Sequence, residues 1–182
     1  MDFGKLKFRL LFRGVCFAKG LTDGEIADIE DEYQFVFPPD YRQFLQTCRP
    51  IGRGWVDWRD KESVRKRLNW PWEGMAFDIE HNDSWLTAWG PKPETMAERL
   101  RVAKEQYDRA PRLIPIYSHR YIPADPSEAG NPIFSVYQTD IIYYGYDLKS
   151  YLEHEFGLRS YESLFTAEHP LKQIAFWSDI SC

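Results

Sequence analysis

The stretch that decides the fold is LTDGEIADIEDEYQFVFPPDYRQFL, residues 21–45. Thr22, followed three residues later by Glu25, is the pattern of a capping box, which predicts the start of a helix. Apolar residues then recur at helical spacing as far as Tyr33. Pro39 predicts the first turn of a second helix, where a missing N–H leaves no bond unmade. We therefore expect two helices, joined by a few residues and packed as a helical hairpin.

The segments after this stretch predict two more helices with irregular chain between them. Residues 49–62 are rich in glycine and then in aromatic residues, which predicts a loop with a short extended piece. Asp60 is suited to cap a helix over 61–70. We expect an irregular segment over 71–93. Apolar spacing on one face then predicts a helix over 93–110.

The second half of the chain changes character from helices to strands. In order, we predict a strand over 112–118, a turn-rich segment over 120–132, a β-hairpin over 133–147, a helix over 147–157 and a short helix with an extended piece within 158–182. Helices first, strands later and a helix last indicate an α+β fold, with a central mixed or antiparallel sheet flanked by helices. We expect a single domain over 1–182.

Composition argues against several classes of protein. The formal net charge of −5 disfavours nucleic-acid binding, which needs a basic face, and suits a protein partner with a basic surface. Three cysteines without a CxxC pair predict neither a disulfide framework nor a zinc site. No apolar run approaches the ~20 residues of a membrane span, and no signal peptide is evident. We therefore expect no membrane partner and a cytoplasmic location.

Short motifs follow one another along the chain in a recognisable order. The acidic helix is followed by a Pro-x-Asp-aromatic step and an apolar helix, and later by a strand, a Gly-Asn turn and a closing strand with its helix. These motifs are FPPDY (37–41), FL (44–45), LIPIY (113–117), GNP (130–132) and DIIYYGYDLKSYLEHEF (140–156). Together they resemble the SUKH superfamily of Smi/Knr-like proteins. The resemblance covers a core of about residues 21–156, with an N-terminal lead-in and a C-terminal tail.

Two departures from the family pattern concern the binding surface. RPIGRGWVDWRD (49–60) stands where many members have an Asn-Gly pair, and SHRYIPADPSEAG (118–130) is longer than the usual connection. The sequence is therefore similar to a particular bacterial branch, whose binding surface differs from that of better-known relatives.

The resemblance implies a noncatalytic scaffold that binds other proteins. Bacterial members are associated with immunity to polymorphic toxins, and fungal relatives with cell-wall signalling. We accordingly expect an immunity protein that neutralises a toxin domain, with no enzyme activity and no cofactor, as a monomer or weak dimer. The alternatives are a scaffold in cell-wall or stress signalling, and a glycan-binding or hydrolytic enzyme that uses the tryptophan-rich region.

The stretch IYSHRYIP (116–123) places three chemically active side chains together. In an enzyme, His119 would be a base, Arg120 an anion clamp and Tyr121 an acid. Adjacent residues of an extended chain point to opposite sides, so the three would not converge. The hypotheses are a structural role, in which His119 or Arg120 bonds carbonyls of the following loop, then partner recognition, and then catalysis.

Six tryptophans fall within residues 55–89, among several acids. One hypothesis is that they cover the sheet or pack a long loop. The other is a rigid aromatic groove with an acidic rim, which suits a protein ligand because aromatic anchors dominate binding energy. The candidate residues for that groove are Trp55, Asp57, Trp58, Asp60, Trp85 and Trp89. The segments DIEHND and EHEF lack a metal-binding spacing, so we expect no metal.

Overall fold

The computed structural model describes residues 2–163 and 171–181. Within them the chain forms seven α-helices and six β-strands. The helices are α1 (Phe3–Leu11), α2 (Asp23–Tyr33), α3 (Pro39–Thr47), α4 (Lys61–His81), α5 (Met96–Arg109), α6 (Leu148–Glu155) and α7 (Trp177–Ile180). The strands are β1 (Cys16–Ala18), β2 (Arg49–Ile51), β3 (Leu113–Tyr117), β4 (Arg120–Pro123), β5 (Ile133–Tyr137) and β6 (Asp140–Gly145). Single 3₁₀ turns cover Thr87–Trp89 and Tyr161–Ser163.

The strands form two antiparallel sheets. The main sheet has the order β3-β4-β5-β6, in which each strand pairs with the next one along the chain, and β1 pairs with β2 in a separate two-stranded sheet. The predicted strand at 113–117 and the predicted hairpin therefore lie in one sheet, and α6 contacts β6. The prediction of an α+β fold with a central sheet flanked by helices is confirmed.

The main sheet separates two hydrophobic cores. Side chains of a strand alternate between its faces, so Ile114 and Ile122 enter the first core while Leu113 and Tyr121 enter the second. We call first core the buried cluster formed by α1, α2, α3, α6 and the start of α4 against one face of the sheet. We call second core the cluster formed by the end of α4, α5 and the C-terminal segment against the other face.

The stretch 21–45 folds as its sequence predicts. Thr22 Oγ1 accepts a hydrogen bond from the Glu25 N–H at 3.2 Å, and the Glu25 carboxylate accepts one from the Thr22 N–H at 2.8 Å. α3 begins at Pro39. Arg42 of α3 pairs with Asp23 and Glu30 of α2, which ties the two helices together.

Two predictions about secondary structure are wrong. The segment 71–93 is not irregular throughout, because α4 continues through Pro71 to His81. The buried residues of α4 keep helical spacing on both sides of the proline: Val64, Leu68, Pro71, Met75, Asp78 and Ile79. This inward stripe packs on both cores, and its burial offsets the hydrogen bond lost at proline. The segment 120–132 also begins with a strand, β4, rather than with turns.

The two ends of the chain contribute buried side chains. Phe3, Leu6 and Leu10 of α1 enter the first core. Ile174 and Trp177 enter the second core. The rest of the expected C-terminal helix and extended piece falls partly on residues 164–170 and Cys182, which lie outside the described residues. No helix of the described part is long and apolar enough to span a membrane.

Candidate functional site

A groove opens between the outer face of α4 and the turns that join β3 to β4 and β5 to β6. It has a volume of about 460 Å³, and a hollow of about 170 Å³ adjoins it, since Trp70 and Tyr137 border both. We call the two together the hairpin groove. Its residues are Ser63, Lys66, Arg67, Trp70, Glu73, Gly74, Phe77, Ser118, His119, Tyr121, Tyr137 and Gln138.

Three large aromatic side chains of this groove are exposed. Trp70 is 40% exposed, Phe77 is 45% exposed and Tyr137 is 56% exposed. Trp70 and Phe77 are seven residues apart on α4, so they lie on the same face two turns apart. Exposed aromatics grouped around a concave surface are the residues that most often dominate protein interfaces.

Arg67 fixes α4 to the turn between β3 and β4. Its guanidinium donates to the Ser118 carbonyl at 2.7 Å and to the Gly54 carbonyl at 2.8 Å. Beneath the groove, the Tyr121 hydroxyl donates to the Arg67 carbonyl at 2.9 Å. Burial raises the pKa of Tyr121, which therefore stays protonated as this donor. Hydrogen bonds from the Arg67 side chain and to the Arg67 carbonyl thus connect α4 to the β3–β4 turn and to β4 at the bottom of the groove.

The turn between β5 and β6 is fixed by the second half of α4. Asp78 accepts hydrogen bonds from the Thr139 N–H at 2.9 Å and from the Thr139 hydroxyl at 2.5 Å. A Cβ at Gly74 would lie 2.9 Å from the Gln138 Cα, so only glycine lets the helix approach this closely. The wall that presents Tyr137 is therefore rigid.

The charge of the groove is locally positive despite the acidic chain. Lys66 and Arg67 both border it, and Lys66 has no ion-pair partner among the described residues. Burial, together with the nearby Arg120 guanidinium, lowers the pKa of His119 below its ordinary value of 6.5. His119 is therefore neutral at pH ~7 and contributes an aromatic ring, 6.2 Å from that of Tyr137. Glu73 borders the adjoining hollow.

The residues His119, Arg120 and Tyr121 do not converge. His119 borders the groove and contacts the Ser118 hydroxyl at 3.1 Å. Arg120 points to the opposite face of the sheet, where it donates to Ser135 Oγ at 2.9 Å and lies 3.6 Å from the centre of the Tyr144 ring. Tyr121 lies buried under the groove. Only His119 of the three is available to a partner that binds this surface.

The structural role predicted for His119 or Arg120 was a hydrogen bond to carbonyls of the following loop, and this prediction is wrong. Neither His119 nor Arg120 bonds the carbonyls of the loop 124–130; other residues fix that loop. Asp40 accepts a hydrogen bond from the Gly130 N–H at 2.9 Å. Asn131 donates to the Pro123 and Pro126 carbonyls, and Lys172 donates to the Ala129 carbonyl. Asp40 is the acid of the FPPDY motif, so this motif links α3 to the turn.

The four candidate tryptophans are divided between the two cores and do not form a single groove. Trp58 is buried in the first core, and Trp55 stacks on Phe156 at 5.4 Å beside that core. Trp89 is buried in the second core, with Trp85 packed against it at 5.2 Å. The alternative hypothesis, that these tryptophans pack the sheet and its loops, describes this arrangement better.

The two acids expected beside these tryptophans act locally. Asp57 is exposed and accepts from Arg49 at 2.8 Å. Asp60 caps α4 by accepting from the Ser63 N–H at 3.1 Å. Trp55 and Trp85 stay partly exposed, but they lie in different clusters.

Sequence analysis missed Trp70, Phe77, Tyr137 and Lys66 as surface residues. The signal that could have found them is the helical spacing of α4 across Pro71. Once that helix is extended to His81, Trp70 and Phe77 fall on its outer face. The irregular segment predicted over 71–93 concealed this pattern.

A second hollow, of about 480 Å³, lies beside α2 and is a weaker candidate. Two of the four acids that border it are already paired within the chain: Glu25 with Arg59, and Glu32 with Lys61 and Arg65. A partner would have to break these pairs. No group of three or more His, Cys, Asp or Glu residues in the described part could hold a metal ion.

Comparison with models of known families gives a match over most of the chain. Residues 20–163 match the family model described as the SMI1 / KNR4 family (SUKH-1). No curated protein and no solved structure matches the chain.

Proposed function

The chain belongs to the SMI1/KNR4 family (SUKH-1), and on that premise we propose that it is a noncatalytic protein-binding module. Within this class we propose an immunity protein of bacterial origin that acts in the cytoplasm, where it binds and neutralises a cognate toxin domain. The observation that supports this proposal is the hairpin groove, in which exposed aromatic side chains of α4 and of the β5–β6 hairpin border a preformed surface.

The rigidity of the groove favours tight binding. Arg67 and Asp78 hold both turns in place before a partner arrives. A preformed surface loses little conformational entropy on association, so more of the contact energy appears as affinity. Trp70 and Tyr137 offer large apolar areas, and each can become fully buried in a complex.

The charges indicate which partner fits. The net charge of −5 attracts a partner with a basic surface at long range and speeds its association. Lys66 and Arg67 act at short range, where they suit a carboxylate or a carbonyl-rich loop of that partner. The proposed ligand is thus a protein with an overall basic surface that inserts an apolar, locally acidic segment between α4 and the two turns.

A glycan ligand is the second candidate. Trp70 and Tyr137 border a groove that also has hydroxyl and cationic side chains, and aromatic rings stack on sugars. The smaller area of such a ligand would leave Phe77, at the far end of the groove, uncovered. Phe77→Ala therefore separates the two candidates, because only a protein partner should lose affinity.

The test screens the genes that flank the one for this chain for a toxin domain, and uses such a domain as the ligand. Co-expression should restore growth of cells that make the toxin, and calorimetry should show a stable complex. Trp70→Ala and Tyr137→Ala should each weaken binding by about 2 kcal/mol or more, which is roughly thirty-fold in Kd. Phe8→Ala, which removes a ring on α1 that is more exposed than either groove ring, is the control and should leave Kd unchanged.

Two results would contradict the proposal. Unchanged affinity in both groove variants, with wild-type melting temperatures, would mean that the partner binds elsewhere. Growth inhibition that persists when the chain is co-expressed would argue against the immunity role. Recovery of signalling proteins from the native host would then favour the scaffold alternative.

A further inference from the structure

The outer face of α1 is apolar although it faces solvent. Phe8 is 62% exposed, Leu11 is 47% exposed and Phe12 is 76% exposed. These residues are three and four positions apart, so they form one stripe, and the Phe8 and Phe12 rings are 4.8 Å apart. The opposite side of the same helix is buried through Phe3, Leu6 and Leu10. α1 is therefore apolar on two faces, and only one of them is covered.

The orientation of α1 is fixed by its contacts with the first core. The Phe3 ring lies 5.5 Å from that of Phe44. Arg9 pairs with the buried carboxylate of Glu153, and Arg13 donates to the Gly157 carbonyl at 2.5 Å. These contacts prevent the helix from rolling to hide its outer stripe, so exposure of Phe8 and Phe12 belongs to the folded protein.

Positive charge surrounds this stripe. Residues 2–20 contain five Lys or Arg side chains and one acid, whereas the whole chain has a net charge of −5. The Lys5 side chain is 86% exposed and lies 3.5 Å from the exposed Asp2 carboxylate, the one acid of this segment. Lys7 lies 6.0 Å above the Phe17 ring, on the other flank of the stripe. A strong charge asymmetry of this kind is a feature of chains that meet an anionic surface.

We propose that the outer face of α1 binds the surface of an anionic lipid bilayer. Phe8, Leu11 and Phe12 insert into the boundary between headgroups and acyl chains, and the flanking cations contact lipid phosphates. The acidic remainder of the chain is repelled by the same surface, so only this face approaches it. The expectation of no membrane partner rested on the absence of a spanning segment, which surface binding does not need.

The observations favour lipid over the other occupants of such a face. A second copy of the chain would bring this cationic patch against the same patch of the partner, because a two-fold interface joins the same surface of both subunits. Like charges in contact oppose that arrangement. An acidic groove of another protein shares the charge sign of lipid, and it is one outcome of the test.

Vesicle co-sedimentation tests this proposal on the full chain. Wild-type protein should sediment with vesicles of phosphatidylcholine and phosphatidylglycerol, and not with phosphatidylcholine alone. Phe8→Ser and Phe12→Ser should each weaken partitioning about ten-fold or more, because each removes an inserted ring. Lys5→Gln should weaken it about five-fold, and added salt should have the same effect. Phe77→Ser, on the hairpin groove, is the matched control and should bind as wild type.

The following outcomes would contradict lipid binding by the outer face of α1. Failure of the wild type to sediment with anionic vesicles, or equal binding to neutral ones, would overturn it. A dimer in solution that Phe8→Ser dissociates would assign the face to a second copy. If the wild type bound a purified acidic protein but no vesicles, and Phe8→Ser abolished that binding, the outer face of α1 would be assigned to that protein. The groove variants Trp70→Ala and Tyr137→Ala leave vesicle binding intact, so this proposal and the toxin-binding proposal fail separately.

Discussion

The two cores on either side of the main sheet are closed in different ways. Most of the cover of the first core comes from α1, α2 and α3, which follow one another in the chain, with α2 and α3 joined by five residues, and α6 joins them from the far end of the sheet. The second core is closed by a segment far from the strands it covers: Trp177 donates from its indole N–H to the Pro111 carbonyl at 2.6 Å. The first core therefore takes most of its cover from neighbouring helices of the chain, whereas the second depends on a contact between the C-terminal segment and the start of the sheet.

Shared elements couple the two sides. α4 contributes Val64 and Leu68 to the first core and Met75 and Ile79 to the second. The strands contribute alternately to both. A rigid sheet and one long helix transmit a loss of packing from one side to the other, so we expect both cores to unfold in one transition.

The largest effect is expected from removing one ring from each core. Phe44→Ala in the first core and Trp177→Ala in the second should each lower the free energy of unfolding by about 3–5 kcal/mol. Both side chains are almost fully buried, so each variant leaves a cavity. Urea unfolding followed by circular dichroism and by tryptophan fluorescence gives the measurement.

The same experiment shows whether the two cores are separate. Coincident transitions from both probes in both variants support a single cooperative unit. If part of the Trp177→Ala protein unfolded at a lower urea concentration while the rest unfolded as in wild type, the second core would be a separable layer. A cost below about 1 kcal/mol would show that the C-terminal segment is only loosely attached.

The part of the first core that α2, α3 and α6 form could be predicted from sequence because its signals are local, whereas α1 was not predicted. The capping box at Thr22, the proline at the start of α3 and the stripe of Tyr41, Phe44 and Leu45 all act within a few residues of one another. The hairpin at 133–144 and the cap at Asp147 are local signals of the same kind. Their positions followed from spacing alone.

The second core and the candidate site could not be predicted in this way. Pro71 is a helix breaker by local rules, and only burial on both sides of it keeps α4 intact. One of the two hypotheses placed tryptophans that are close in sequence in one groove, but the sheet separates Trp58 from Trp89. Trp70 and Tyr137 are 67 positions apart in the chain, so no local pattern could predict that they border one groove.

Substitutions at two glycines distinguish helix propensity, which is local, from a close backbone contact between distant segments. We expect changes in stability of intermediate size. Gly24 in α2 has no atom within 4 Å of an added Cβ, whereas at Gly74 in α4 the added Cβ would meet the Gln138 Cα at 2.9 Å and its N at 3.1 Å. Gly74→Ala should destabilise by about 1–3 kcal/mol, because backbone atoms must move. Gly24→Ala should stabilise by up to about 1 kcal/mol through helix propensity alone.

Thermal and urea unfolding of both variants measures this contrast. If Gly74→Ala were stabilising like Gly24→Ala, the approach of α4 to the β5–β6 turn would be looser than the structure has it. That result would also weaken the argument that Tyr137 stands on a rigid wall, so the same variant bears on the hairpin groove.

Two buried aspartates, one beside each core, extend the comparison of the two cores to the pH dependence of stability. Burial raises the pKa of Asp40 above its ordinary 3.8, despite hydrogen bonds from the Gly130 and Tyr41 N–H groups. Burial alone would also raise the pKa of Asp78, but hydrogen bonds from Thr139 and Asn82 outweigh it and lower that pKa below 3.8. The two carboxylates therefore have shifts of opposite sign.

The smallest expected effect is on the pH dependence of the unfolding free energy, and its direction follows from the directions of these two pKa shifts. For Asp40 the folded pKa is raised, so its favourable contribution is full below 3.8 and is lost as the pH rises through the folded pKa. For Asp78 the folded pKa is lowered, so its contribution is full above 3.8 and is lost as the pH falls through the folded pKa. Asparagine does not titrate, so the unfolding free energies of Asp40→Asn and Asp78→Asn are compared with wild type between pH ~3 and pH ~7. Relative to its Asn variant, wild type should gain stability toward acid at Asp40 and lose it at Asp78. Parallel curves for the two variants would mean that the hydrogen bonds to Asp78 do not outweigh its burial, and that Thr139 is held less firmly than Gly130.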